Sequence, residues 1–235
     1  MADGDHLCLW NIATNAGCRT SSAVATVDAV AFSPDGKTIA VSSGVIHVVL
    51  LNVAAMKRTA SFAAPGSEGV RALAFSPDGK TLAAGDLNGS VYLWNVASGT
   101  PAGTLTDPAS TGVDAVAFSP DGKTLAAGDF NGHVFLWAVA TRKLSTPVIA
   151  DPNATTHTAG VSSVAFSPDG TMLAVGDKSG TGYLWEVATG NLIGTMTVPN
   201  GLGVNAVVFS PDGRTLATGD EGGSLDLWRR FTERT

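Results

Sequence analysis

The sequence predicts an all-β chain assembled from about five copies of one four-stranded antiparallel sheet. Three observations predict it. The segment Phe-Ser-Pro-Asp-Gly occurs five times, with its phenylalanine at Phe32, Phe75, Phe118, Phe166 and Phe209, at intervals of 43, 43, 48 and 43 residues. A Leu-Trp pair follows four of these copies, ending at Trp94, Trp137, Trp185 and Trp228. No window of the 235 residues sustains apolar positions at the i, i+3, i+4, i+7 spacing of a surface helix.

The second copy shows the elements in order. Val70 to Phe75 is a short apolar run, suited to a strand buried on both faces. Ser76-Pro77-Asp78-Gly79 is a turn: Pro sets φ, Asp bonds the local backbone and Gly accepts positive φ. Thr81 to Ala84 forms the next strand, and Asp86-Leu87-Asn88-Gly89 turns the chain through an Asn-Gly pair. Val91 to Val96 is a third strand, Ser98-Gly99 turns again, and Gly103 to Thr106 is a weaker outer strand. A lone sheet of this kind cannot bury both faces, so siblings must pack against it around an axis, as blades of a propeller do. Small residues such as Ala72 and Ala74 suit strands crowded near that axis.

The repeats span residues 25–67, 68–110, 111–158, 159–201 and 202–231 of a single domain covering 1–235, preceded by N-terminal strands within 5–24. The longer interval places a five-residue loop insertion around Thr155 to Thr158. The first copy is the most degenerate, with Val45-Ile46-His47 and with Leu51 in place of Trp. A further Leu-Trp ends at Trp10, so the chain starts with a third strand (His6 to Ile12) and a fourth (about Arg19 to Val24). The last copy stops after its third strand. The N-terminal fourth strand is expected to complete it, giving about five blades and leaving the strand at Trp10 surplus. The alternative is a portion of a larger ring, whose open strand edges would self-associate.

Composition excludes several classes. At 44% apolar and 14% charged, the chain can bury a core and is not of disordered type. A net charge of −6 argues against nucleic acid, and Arg229-Arg230 at the C-terminal end is read as a solvated tail. No run reaches membrane-spanning length, and residues 1 to 6 carry no basic region leading into an apolar stretch. Cys8 and Cys18 make neither a disulfide scaffold nor a zinc set, so they are read as two thiols in a reducing, cytoplasmic compartment.

The run from Val113 to Ala126 (Val-Asp-Ala-Val-Ala-Phe-Ser-Pro-Asp-Gly-Lys-Thr-Leu-Ala) and the run from Gly89 to Gly99 (Gly-Ser-Val-Tyr-Leu-Trp-Asn-Val-Ala-Ser-Gly) resemble the WD-repeat β-propeller family over residues 5 to 231. In style the repeats look like WD-repeat regions of actinobacteria that follow Ser/Thr protein kinase domains. The resemblance implies a rigid propeller that binds a protein or peptide over its channel mouth. Two departures stand out. The family's Gly-His before the first strand is missing, where Asp107-Pro108, Asp151-Pro152 and Val198-Pro199 lie instead. The family's Asp six residues before Trp is Asn88, Asn131, Ser179 or Gly222. The Ser-His-Asp-Trp network cannot form as such. Asp86, Asp129, Asp177 and Asp220, two residues earlier, are expected to take over part of it by accepting backbone bonds.

No residue is assigned to catalysis, a metal or a cofactor. Asp35, Asp78, Asp121, Asp169 and Asp212 sit in Ser-Pro-Asp-Gly turns, which select Asp for local bonding. Asp86 to Gly89 and Asp129 to Gly132 resemble a calcium loop but lack its further oxygen ligands. His6, His47, His133 and His157 share no metal spacing; His47 and His133 fall on third strands as exposed cross-strand partners. No nucleophile elbow, phosphate loop or zinc-protease motif occurs. One set varies against the constant frame: Asp28, Arg71, Asp114, Ser162 and Asn205, each following the first Val of its repeat. In the family that position lies near the channel mouth, so these five are the candidate partner-binding residues. The expected function is a non-catalytic protein-interaction scaffold. Alternatives are a propeller binding a small ligand or carbohydrate, which needs more loop aromatics than are present, and a hydrolase, for which Asp28 and Asp114 are the sole candidate carboxylate pair.

Overall fold

Strands begin where β-branched and aromatic residues cluster and mostly stop at glycine-bearing turns, and no helix interrupts them among the described residues of the computed structural model. It describes residues 2–3, 6–13, 16–21, 24, 26–44, 46–106, 110–150, 160–198 and 202–229, the side chains of 2, 3, 6, 16 and 146–150 excepted. The proposed insertion at Thr155 to Thr158, with His157 and the Asp-Pro pairs at 107 and 151, lies outside them.

The Ser-Pro-Asp-Gly turns fold in one way. At the first, Ser33 Oγ donates to Asp35 Oδ1 (2.6 Å) and accepts the Thr38 N–H (3.0 Å). Asp35 Oδ1 accepts the Lys37 N–H (3.0 Å), and the Gly36 N–H donates to the Ser33 carbonyl at a φ of 67°. The same hydroxyl-to-carboxylate bond recurs at Ser76, Ser119, Ser167 and Ser210. The left-handed glycine is what lets the chain reverse so tightly.

The chain forms two compact units, Met1–Pro108 and Ala109–Thr235. The first holds three sheets. One is β1 (Ala2–Asp3), β2 (His6–Asn11) and β3 (Ala16–Ser21), with β2 in the middle. The second is β4 (Val30–Phe32), β5 (Thr38–Ser43), β6 (His47–Asn52) and β7 (Lys57–Ala63). The third is β8 (Val70–Phe75), β9 (Thr81–Asp86), β10 (Ser90–Asn95) and β11 (Pro101–Thr106). The other unit holds β12 (Val113–Phe118) to β15 (Lys143–Ala150), through β13 (Thr124–Asp129) and β14 (His133–Ala138). Next comes β16 (Val161–Phe166), β17 (Met172–Asp177), β18 (Thr181–Glu186) and β19 (Leu192–Thr197). Last are β20 (Val204–Phe209), β21 (Thr215–Asp220) and β22 (Leu225–Arg229). Every pairing is antiparallel and sequential, as blades of a propeller require.

Cores lie between sheets rather than within them. Val48 and Leu50 of β6 meet Tyr92 and Trp94 of β10, with Phe62 stacked on Trp94 at 5.7 Å. In the other unit Val134 and Leu136 of β14 meet Tyr183 and Trp185 of β18. Within each unit, two residues of a third strand therefore face the following sheet, and the alternate residues of that sheet's own third strand, Trp included, face back. In the degenerate first repeat, Leu51 takes the Trp place and is fully buried, against Leu7 of β2 and its neighbours. The first strand of a sheet lies against the first two of the preceding one, β8 on β4 and β5, β16 on β12 and β13, β20 on β16 and β17. In the second unit that approach needs glycine. A Cβ on Gly128 would sit 2.3 Å from Val161 Cγ1, and one on Gly176 would sit 2.7 Å from Val204 Cγ1.

Two expectations are corrected. The N-terminal fourth strand does not complete the last sheet: β3 pairs with β2 in a sheet of its own, and β20 to β22 remain three strands. The strand starts earlier than expected, at Ala16, and ends at Ser21. There are thus six sheets among the described residues, not about five, and the strand of Trp10 is the middle of one. A hairpin joined by residues 12–15 closes a short loop, so little entropy opposes it. Second, Cys8 and Cys18 are not free thiols but a disulfide across this hairpin, their Cα atoms 5.5 Å apart, within the span a disulfide bridges. The reducing-compartment reading rested on those thiols.

The glycine seats and the disulfide can each be tested. Gly128→Ala and Gly176→Ala should each lose about 1–3 kcal/mol in urea unfolding through overpacking, whereas Gly194→Ala, with nothing within 4 Å of the place its methyl would take, should stay near wild type. Alkylation of the denatured, unreduced protein should label no cysteine, and both after reduction; two labels without reductant would restore the thiol reading.

Candidate functional site

Four of the five candidate residues share a backbone peculiarity. Val70 pairs with Asp86 and Ala72 with Gly85, which leaves Arg71 as the extra residue of a β-bulge. Asp114 is extra between Val113 and Ala115, Ser162 between Val161 and Ser163, and Asn205 between Val204 and Ala206. A bulge residue has no rung in the ladder, so its side chain is re-aimed. Asp28 stands at the matching place before β4, where the Ser42 hydroxyl accepts both the Asp28 and Ala29 N–H groups at 2.9 Å.

The end of four of the sheets is held by an acid the sequence singled out. Asp86, Asp129 and Asp177 are buried, and each accepts a bond from the N–H two residues on, at Asn88, Asn131 and Ser179. Asp129, Asp177 and Asp220 also accept the N–H four residues on. Asp86 reaches further: it accepts the Glu68 N–H at 3.0 Å and a short bond from the Ser67 hydroxyl. It thereby ties the segment leading into β8 to the turn after β9. A buried carboxylate is stable there because backbone donors surround it.

In the first unit, the Arg71 guanidinium lies 3.8 Å from Asp28 Oδ1, linking two neighbouring sheets through half-exposed side chains. In the second unit, Lys178 Nζ pairs with Asp114 Oδ2 at 2.7 Å and stands 4.7 Å over the Phe130 ring. Ser162 Oγ donates to the Gly176 carbonyl (3.0 Å) and, in a shorter contact, to the Val204 carbonyl of the next sheet. Asn205 is exposed on β20. The structure therefore gathers Asp28 with Arg71 in one unit, and Asp114 with Lys178 and Phe130 in the other. Each carboxylate of the hydrolase alternative carries a cation of its own.

Lys178 and Phe130 were not singled out from sequence, although a signal exists. Both follow the Asp of a Gly-Asp pair, a position occupied by Leu87, Phe130, Lys178 and Glu221. That position varies as freely as the bulge, and it lies at the same end: the N–H groups of these four donate to the carbonyls of Gly69, Gly112, Gly160 and Gly203, just before the first strands. His133 is half-buried rather than exposed, its Nδ1 3.4 Å from Asp129 Oδ2; His47 is exposed as expected. Among the described residues no three His, Cys, Asp or Glu gather as a metal set, and no helix is long and apolar enough to cross a membrane.

The opposite end of five of the sheets carries the Ser-Pro-Asp-Gly acids. The Ser76 hydroxyl, then the Lys80 N–H, holds the Asp78 carboxyl below the ordinary aspartate value, and the corresponding groups do so at Asp35, Asp121 and Asp212. These are exposed turn locks, without the raised affinity for a proton that a general acid needs.

The sequence matches the family described as WD domain, G-beta repeat, at residues 56–95, 99–138, 151–186 and 190–229. Three of the matches start at an outer strand and the one from 151 just after one, each ends one residue past the Trp of the next sheet, and Leu51 falls outside the four. No match is found among curated proteins.

The turn acids yield a pH test. A folded value below the unfolded one means that each turn contributes its stability in full above the ordinary aspartate value, and loses it as pH falls through the folded value. Carboxyl NMR titration should show Asp78 protonating at lower pH than an ordinary aspartate. Ser76→Ala should move that midpoint up and leave Asp121 unchanged; an unmoved Asp78 would show that the hydroxyl is not the cause.

Proposed function

Because the chain belongs to the WD40-repeat family, whose repeats generally serve as protein-interaction scaffolds, we propose that it is a non-catalytic platform reading a protein or peptide at the bulged ends of its first strands. The observation carrying this reading is the coincidence of variability with geometry. Residues at one strand position differ in charge and size from repeat to repeat, and four of them occupy bulges that free the side chain from the ladder. Rigid sheets fix the backbone beneath, so a partner meets preorganised groups and little ordering entropy is lost on docking.

The chemistry displayed is mixed. Arg71 with Asp28 presents a half-exposed ion pair, and Lys178 over Phe130 presents a cation on an aromatic face. Both suit an extended peptide with alternating charge and an apolar anchor better than a polyanion. Mixed charge of this kind sets partner choice and encounter rate more than raw affinity. A cytoplasmic location fits the family, whereas the Cys8–Cys18 disulfide fits an oxidising compartment; the alkylation experiment above separates the two.

Affinity capture from the native host tests the platform. Arg71→Glu and Asp114→Lys should each cut recovery of specific partners about tenfold, equal to about 1.4 kcal/mol. Arg58→Glu, on the outer strand β7, should leave recovery unchanged. Equal recovery by all three variants would remove the bulged end from consideration.

A further inference from the structure

Within the first unit, the joint between β1–β3 and β4–β7 differs from the joint between β4–β7 and β8–β11. In the latter, Phe62 of the outer strand stacks on Trp94, and a Cβ on Gly99 would lie 3.2 Å from the Phe62 ring. In the former, Ser21 holds the place of Phe62, pairing with Leu7 as Phe62 pairs with Val48. Leu51 holds the place of Trp94. Met56 holds that of Gly99, its N–H donating to the Asn52 carbonyl as the Gly99 N–H donates to that of Asn95. The Ser21 hydroxyl donates to the Met56 carbonyl at 3.4 Å. A hydroxyl and a leucine fill less space than two stacked rings. An open hollow of about 480 Å³ lies here, lined by Arg19, Thr20, Ser21, Met56, Lys57 and Arg58.

The lining is cationic. Arg19 Nη2 donates to the Ala54 carbonyl at 2.7 Å, which anchors one end of the guanidinium and leaves its other N–H groups for a further acceptor. Lys57 and Arg58 are exposed neighbours on β7. Among the described residues, ion pairs form at Arg71, Lys80, Lys123, His133 and Lys178, and none at Arg19, Lys57 or Arg58. In a chain of net charge −6, three cations thus line one hollow with no described carboxylate in ion-pair contact. Their mutual repulsion is relieved by an anion from outside.

We infer that this hollow binds the phosphate group of a small phosphate monoester. Three cations exceed what one carboxylate neutralises, whereas a phosphate monoester brings close to two negative charges and three strong acceptor oxygens. The guanidinium forks of Arg19 and Arg58 match phosphate oxygens in pairs, and Lys57 adds a point charge. The hollow is larger than a phosphate group and falls in the range of small-ligand sites, so it has room for the carbon skeleton that carries the phosphate. It is distinct from the bulged strand ends: Arg58 lies on an outer strand, and Arg19 on the outer strand of the sheet before.

Calorimetric titration of the whole chain, in low salt without phosphate, tests the assignment with glycerol 2-phosphate, inorganic phosphate and acetate as probes. Glycerol 2-phosphate should bind at one site, more tightly than inorganic phosphate and at least about tenfold more tightly than acetate. Lys57→Glu and Arg58→Glu, both at exposed positions, should each weaken it about tenfold or more. Ser21→Phe, which puts a ring where Phe62 has one, should abolish binding with all three cations kept. Unchanged far-ultraviolet circular dichroism checks the fold of each variant, and the two charge variants decide the matter if Ser21→Phe does not fold. Absence of binding at millimolar glycerol 2-phosphate overturns the proposal, as does equal affinity for acetate or equal affinity in the charge variants. Tighter binding of inorganic phosphate overturns the monoester in favour of the free ion. Arg58→Glu is also the variant expected to leave partner capture unchanged, so the two readings fail separately.

Discussion

One constraint governs this chain: a four-stranded sheet with two apolar faces has no stable existence alone. Trp94 and Trp185 face backward and Leu50 and Leu136 forward, and all are buried only because another sheet stands on that side. The strands are short, about six residues each, so a single hairpin would be marginal in water. Stability therefore resides in the joints between sheets. Where a joint is tightest, the sequence supplies glycine, as at Gly128 and Gly176, because two backbones approach closer there than any side chain permits.

Much of this was legible in the sequence. Five copies of a turn motif at nearly constant spacing predicted the sheets, their antiparallel order and the residues at their corners. The substitute acids at Asp86, Asp129, Asp177 and Asp220 were also foreseeable, since a family network lacking its usual Asp must satisfy the same backbone donors from somewhere. What the sequence did not reveal was pairing at its margins. Strand β3 carries no mark that distinguishes a partner in its own hairpin from one about two hundred residues away. The cysteines were misjudged for a related reason: ten residues of separation says nothing until the register of β2 on β3 is known.

The candidate site was half legible. Variation at Asp28, Arg71, Asp114, Ser162 and Asn205 was visible, but the bulge beneath it was not, because a bulge leaves no composition signal when the extra residue differs each time. Lys178 and Phe130 were overlooked because they belong to a different part of the repeat, and Lys178 meets Asp114 and Phe130 only through the stacking of neighbouring sheets. Ser162 shows the opposite: a varied position that turns inward, bonding the carbonyl of Val204, and so holds two sheets together at the place where Asp114 and Arg71 carry charge.

The bulge also bears on how such a protein can change. A side chain outside the ladder carries little of the folding free energy, so that one position can be rewritten from acid to base to amide while the strands on either side stay as they are. Each repeat then behaves like a letter slot in a fixed frame, and new specificity can arise by point replacement without the loss of stability that usually accompanies innovation.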